Sequence, residues 1–212
     1  MDMRGARTKA LLRESLLRLL NDKPFEKITV KEVCERAQTS KKAFYNHYPD
    51  LVELLIDCYL EAVPFTSDPY VAVGNCSNVE EVYLLLLEST ALLLDFFKSH
   101  PNLAKAVVMN VGISPYFKTG FTANVEVLVN YMLRRFGTDK VEPVDSQRLA
   151  LYAVSGWNGI IRQWVMEGMV ESAEDLAKSL IAMNLHTCAF MVGRSMAPEH
   201  LELINRWRRG RA

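Results

Sequence analysis

The sequence predicts an all-α protein: a small N-terminal three-helix domain followed by a larger helical domain. Three observations carry this. Apolar residues recur at three- and four-residue spacing through most of the 212 residues, the period of a helix with one buried face. No segment alternates apolar and polar residues as a half-buried strand would. Capping signals, with Pro and Gly breaks between them, divide the chain into about nine to ten helices.

The first helix is expected from about Ala6 to Leu20, with Leu12, Leu16, Leu19 and Leu20 as its buried stripe. Asn21-Asp22-Lys23-Pro24 ends it, and Phe25 and Ile28 then staple into the same small core. A second helix opens at Thr29. Thr29-Val-Lys-Glu32 is a capping box, in which the hydroxyl accepts from the third amide and the carboxylate reaches back to the first. Val30, Val33, Cys34 and Ala37 supply its inner side, Gln38-Thr39-Ser40 is the turn, and Ser40 is the N-cap of a third helix. Pro49 marks a break before a fourth helix that runs to roughly Ala62.

Residues 64–78 read as a polar loop, and Asn78-Val-Glu-Glu81 opens a long helix to about Ser99. Pro101 begins a short helix ending near Gly112, and another spans about Pro115 to Phe136, stopped by Gly137. After a loop at 138–144, a long helix runs from Asp145 to about Gly168. Ser172-Ala-Glu-Asp175 caps the next, to about Val192, and a basic helix from Pro198 to Arg209 closes the series.

Charge is unevenly spread. The formal net charge is zero, yet residues 1–48 carry eleven Lys/Arg against six Asp/Glu. Residues 49–202 carry ten against nineteen, and the last ten residues add four Arg and no acid. A basic N-terminal block on an acidic body favours phosphate contact at one end only.

Other classes find little support. Cys34, Cys58, Cys76 and Cys188 form no CxxC pair, so neither a zinc site nor a disulfide framework is expected. The apolar run Leu84–Leu94 is broken by Glu88, Ser89 and Thr90 and cannot span a bilayer, and the N-terminus lacks an apolar signal core. The protein is expected to be cytoplasmic, with no membrane partner. An enzyme would need a convergent set of reactive groups; the chain has no HxxxH, GxSxG, Glu-x-x-His or phosphate-binding glycine loop. No catalytic role, metal or cofactor is expected.

Residues 28–48 name a chemistry. On a helical wheel Lys41, Lys42, Tyr45 and Asn46 fall on one side of the third helix, and Phe44 and Tyr48 on the other. The second pair can pack on Val33 and Ala37. The first set is what a groove-facing surface requires: the lysines for phosphates or guanine acceptors, Asn46 for an adenine edge, Tyr45 for a phosphate oxygen. Free amides at the Thr29 end of the second helix suit another phosphate. Arg4, Arg7 and Lys9 are placed to act as a flexible arm along the backbone or minor groove. The layout is a DNA-binding helix-turn-helix.

The run Phe25-Glu-Lys-Ile-Thr-Val-Lys-Glu-Val-Cys-Glu-Arg-Ala-Gln-Thr-Ser-Lys-Lys-Ala-Phe-Tyr-Asn-His-Tyr-Pro-Asp-Leu-Val-Glu-Leu-Leu resembles the N-terminal domain of the TetR family of transcriptional regulators. The family pattern, a threonine opening the second helix and then Ala-Gly-x-Ser-x-x-x-Phe/Leu-Tyr-x-His-Phe, is matched over about fifty residues; the remainder matches in architecture. The resemblance implies a homodimeric repressor in three parts: a helix-turn-helix domain at 1–48, a connecting helix at 49–62, and an effector-binding and dimerisation domain at 63–212. Carried across, the family's contacts with double-stranded operator DNA fall on Thr29, Lys41, Lys42, Ala43, Tyr45, Asn46 and His47, with Arg7 added from the basic arm. The helices near 145–168 and 173–192 would pair with their symmetry mates.

Two positions depart from the pattern. Gln38 replaces the usual turn glycine, so it either takes a positive φ at some cost or reshapes the turn. Leu51 stands where many members have a phosphate-contacting lysine, which either weakens affinity or shifts the contact to Arg7 or Lys42.

Residues 79–192 are rich in aromatic residues and Met, and in TetR-like proteins this region holds an apolar inducer cavity. Phe97, His100, Phe121 and Trp157 are the candidates to line a pocket for a small, mainly hydrophobic effector. Gly156 and Gly159 flank Trp157 in mid-helix at a cost of roughly 1 kcal/mol each. A dimer contact or ligand clearance would each explain them. The alternative function is a TetR-like co-regulator that has lost DNA binding and acts through protein contacts.

Overall fold

The computed structural model describes residues 3–62, 72–110, 125–126, 129–130 and 143–191. Among the described residues there are helices and turns and no strand, as expected. Their contacts divide them into two compact units. The first takes in those of Met1–Pro64, Asp95–Lys118 and Ile161–Val170; the second takes in those of Phe65–Leu94, Thr119–Ile160 and Glu171–Ala212.

In the first unit α1 spans Met3–Asp22. It starts earlier and ends later than the apolar stripe alone suggested, because nothing before Pro24 stops it; the Lys23 N–H still donates to Leu19 O at 3.0 Å. Leu12 and Leu16 are fully buried, and Leu19 and Leu20 nearly so. A 3-10 turn over Phe25–Lys27 follows, with Phe25 and Ile28 buried as staples.

Helix α2 spans Val30–Arg36, and Thr29 caps it with both halves of the capping box formed. The Glu32 N–H donates to Thr29 Oγ1 at 3.3 Å, and the Thr29 N–H donates to Glu32 Oε2 at 2.9 Å. Helix α3 spans Lys41–Tyr45, and the Ala43 N–H donates to Ser40 Oγ at 3.1 Å, which makes Ser40 its cap. The turn between them is a Schellman closure. The Thr39 N–H donates to Cys34 O at 2.9 Å and the Gln38 N–H to Glu35 O at 3.2 Å. Gln38 takes the left-handed position, φ 51°, that glycine normally fills. Of the two outcomes open to Gln38, the chain adopts the positive φ and keeps the turn.

Helix α4 spans Leu51–Ala62 and is capped by Asp50, whose Oδ1 accepts from the Val52 and Glu53 amides at 2.8 and 2.9 Å. It buries Leu54, Leu55, Ile56, Cys58 and Tyr59, and the Cys58 thiol lies 3.7 Å from Arg13 O. Helices α1 and α4 pack together, and α1 also packs on α2.

Helix α5 spans Val79–Ser99 and α6 spans Pro101–Asn110. Asn78 and Glu81 exchange hydrogen bonds at the start of α5 as the sequence expects: the Glu81 N–H donates to Asn78 Oδ1 and the Asn78 amide to Glu81 Oε1, each at 2.9 Å. Helix α6 packs on α1 and α4 through a face that buries Leu103, Ala104, Ala106 and Val107. Phe97 joins this unit, its ring 6.1 Å from that of Tyr59.

Helix α7 spans Pro143–Met166 and α8 spans Ala173–Met191. Between them a second Schellman closure uses Gly168, at φ 87°, in the role Gln38 plays after α2. The Asp175 N–H donates to Ser172 Oγ at 3.0 Å and starts α8. In the second unit Val82, Tyr83, Leu94, Leu149, Ala150, Val154, Leu176, Ala177, Leu180 and Ile181 are buried. Of the expected helix from Pro115 to Phe136, only 125–126 and 129–130 are described, and they are helical. The expected helix from Pro198 to Arg209 lies outside the described residues. Among the described residues no helix is long and apolar enough to cross a membrane.

Candidate nucleic-acid interface

The third helix sorts its side chains as the wheel requires. Phe44 is fully buried and Tyr48 is 3% exposed, while Lys41, Lys42, Tyr45 and Asn46 all face solvent, Tyr45 at 56%. Phe44 anchors the arrangement: its ring meets the edge of Tyr45 at 5.3 Å and the tilted ring of Tyr48 at 5.9 Å. Val33 and Ala37 of α2 are buried with it, so the two short helices hold one another through a shared apolar seam. Asn46 forms the C-cap of α3 at helical dihedrals, φ −70° and ψ −19°, and so continues the face begun by Lys42. Ala43 and His47 are half-buried at its margins. Thr29 is exposed at the amino end of α2.

The cations near this face divide into paired and unpaired. Lys31 lies 3.7 Å from Glu35, Arg36 lies 3.2 Å from Asp22, and Lys23 is held by Glu32. Among the described residues Lys41, Lys42 and the exposed Arg7 meet no acid, and their charges stay available to phosphates. The hydrogen bond from Lys23, then those from Thr29, hold the Glu32 carboxyl down at about 2, well below the usual carboxylate range. That carboxylate therefore stays ionised at the amino end of α2.

One expectation is corrected. Residues 3–9 are the first turns of α1 and not a flexible arm. The cause is the uninterrupted helical stretch before Pro24, and Lys9 is also turned toward α4, 3.8 Å from Asp57 and 5.3 Å over the Tyr48 ring. Arg7 is exposed on α1.

Sequence reasoning missed a second polar cluster. Asp57 Oδ2 accepts from Arg13 Nη1 at 3.1 Å and from the Tyr48 hydroxyl, and Arg13 Nη2 reaches on to Glu61 at 3.6 Å. Desolvation pushes the Asp57 carboxyl up, but the hydrogen bonds from Tyr48 and Arg13, helped by the Lys9 charge, outweigh it and hold the group below its ordinary value. Burial, then the bond to Asp57, pushes the Tyr48 phenol up. The available signal was a lone acid in the apolar stretch Leu54–Leu60, facing cations one turn apart at Lys9 and Arg13.

The candidate effector residues are placed separately. Phe97 is buried in the first unit, and His100 in that unit is exposed, stacked on Phe96 at 4.4 Å with Nδ1 3.0 Å from Phe96 O. Trp157 belongs to the second unit, and its Nε1–H is buried with no acceptor among the described residues. Phe121 lies outside the described residues. A Cβ added at Gly156 or Gly159 would meet no atom within 4 Å. Among the described residues no group of three or more His, Cys, Asp or Glu is placed to hold a metal ion.

An exposed, basic, hydrogen-bonding helix fixed across a capped partner defines a helix-turn-helix regulator of transcription. Two family models agree: residues 12–58 match the "Bacterial regulatory proteins, tetR family" model, and residues 86–185 match "Transcriptional regulator C-terminal region". The chain belongs to the TetR family.

Solved structures share the fold. A TetR transcriptional regulator from Streptococcus agalactiae 2603V is 20% identical, with a TM-score of 0.54 over 86% of this chain and 96% of that one. The dihydroxyacetone kinase operon activator DhaS is 15% identical, with a TM-score of 0.53 over 86% and 97%. NalD of Pseudomonas aeruginosa, the secondary repressor of the MexAB-OprM efflux pump, is 13% identical, with a TM-score of 0.52 over 86% and 96%. A comparison with curated proteins finds no match.

Proposed function

We propose that the protein is a sequence-specific, homodimeric repressor, released from a pseudo-palindromic operator by a small hydrophobic effector. The observation that carries the reading is the exposed set Lys41, Lys42, Tyr45 and Asn46 above a buried Phe44. Thr29, Ala43, His47 and Arg7 complete the contact set. Residues 1–48 read DNA, 49–62 connect, and 63–212 bind effector and dimerise. On a two-fold dimer the recognition helices enter successive major grooves about 34–36 Å apart.

Exposed apolar side chains support pairing of α7 and α8 with their symmetry mates: Leu151, Tyr152 and Met166 on α7, and Met183 on α8. The open space at Gly156 and Gly159 lies on the same helix and would admit a partner backbone. Phe97, His100, Phe121 and Trp157 are the proposed effector contacts, with the Trp157 indole N–H, which has no acceptor among the described residues, offering a donor to a ligand. The co-regulator alternative loses one of its two supports, because Gln38 keeps the turn closed.

A salt titration of binding to random-sequence DNA tests the reading. Log affinity is expected to fall against log salt with a slope near −0.9 per phosphate contacted. A flat or absent response would overturn DNA binding and favour the co-regulator.

A further inference from the structure

We infer that Asp57 is a positioning residue for operator binding: through the Tyr48 hydroxyl it ties the recognition helix to α4 and sets the angle at which α3 is presented. The inference rests on the DNA-binding reading above and adds a residue that touches no DNA.

Tyr48 lies three residues beyond α3, buried against Phe44, the side chain directly beneath the exposed set. Its hydroxyl donates to Asp57 Oδ2 on α4. The same oxygen takes Arg13 at 3.1 Å and lies 3.8 Å from Lys9, both from α1, and Lys9 also covers the Tyr48 ring. Three elements therefore meet on one carboxylate oxygen: the end of the helix-turn-helix, α1 and α4.

Apolar packing alone lets a short helix slide or rotate at small cost. A charge-assisted hydrogen bond in a partly buried setting is directional and resists that motion. Helix α3 has only five residues, so its orientation depends on such anchors. The low carboxyl and high phenol values at this pair agree with a bond that stays formed across the neutral range.

The test uses the full chain and two duplexes, one selected from a randomised pool by the wild-type protein and one of random sequence. Tyr48→Phe deletes only the hydroxyl and keeps the ring on Phe44. Asp57→Ala removes the acceptor and also releases Lys9 and Arg13. Each substitution is expected to lower the ratio of selected to random affinity about tenfold, with Tyr48→Phe leaving random-duplex affinity within about twofold. The double substitution is expected to match Asp57→Ala alone, since both remove the same bond.

A merely structural role would lower the unfolding temperature and leave the affinity ratio unchanged well below the transition. That result would overturn the inference, as would an unchanged ratio in Tyr48→Phe with the double substitution additive. Failure of the DNA-binding reading looks different: wild-type protein would then show no salt-dependent binding to either duplex.

Discussion

Gln38 carries the clearest local cost in the amino-terminal unit. Its left-handed φ of 51° brings Cβ close to the following carbonyl, whereas Gly168 does the same job after α7 without a Cβ. Gln38→Gly is expected to stabilise the protein by about 0.5–1 kcal/mol, the relieved strain exceeding the extra freedom given to the unfolded chain. Thermal unfolding should report a rise of roughly 1–4 °C. On the opposite end of the turn the roles of Asn46 and Lys42 separate by experiment. Asn46→Ala is expected to relax sequence choice at one base pair, at a cost of about 1–3 kcal/mol on the selected site. Lys42→Ala is expected to weaken all sequences alike and reduce the salt slope by about one. Binding isotherms on matched and mismatched duplexes check both, and equal losses for the two variants on every duplex would contradict the assignment.

At the scale of the element, capping explains both what the sequence revealed and what it hid. Thr29, Ser40, Asn78 and Ser172 start helices where their side chains can accept a nearby amide, and all four starts were readable from residue type and spacing. The first turn of α1 was not, because no capping box marks it, whereas its end falls within the stop at 21–24. The Asp57 cluster was hidden for a different reason. Its members come from positions 9, 13, 48 and 57, and only the packing of α1 on α4 brings them together. The exposed set Lys41, Lys42, Tyr45 and Asn46 lies within one short helix and its C-cap, so its period alone revealed it.

The capping box also has a pH consequence. Lys23 and Thr29 stabilise the ionised Glu32, so its contribution is complete above the ordinary carboxylate value of 4.5 and is lost as pH falls toward about 2. The stability difference between wild type and Glu32→Gln, read from denaturant midpoints, is therefore expected to shrink as pH falls from about 4.5 toward about 2. A difference independent of pH would mean the carboxylate contributes nothing as an anion.

For the whole molecule, a net charge of zero conceals a basic amino-terminal block joined to an acidic body. Affinity for a polyanion then depends on which end is presented, and pairing two chains would place two such blocks on one duplex. Tyr152, 66% exposed on α7, is a direct test of that pairing. Tyr152→Glu is expected to yield monomers by light scattering, with unchanged helical content and much weaker binding to the selected duplex. A variant that remains dimeric would move the interface elsewhere.

Two thiols are sealed within the amino-terminal unit: Cys34 on α2, and Cys58 on α4, the latter pushed by burial up to about 12. Neither can meet an alkylating reagent until its surroundings breathe. Their labelling rates, followed site by site in the native protein, become two clocks of local opening, and a duplex that clamps the unit shut would slow both together.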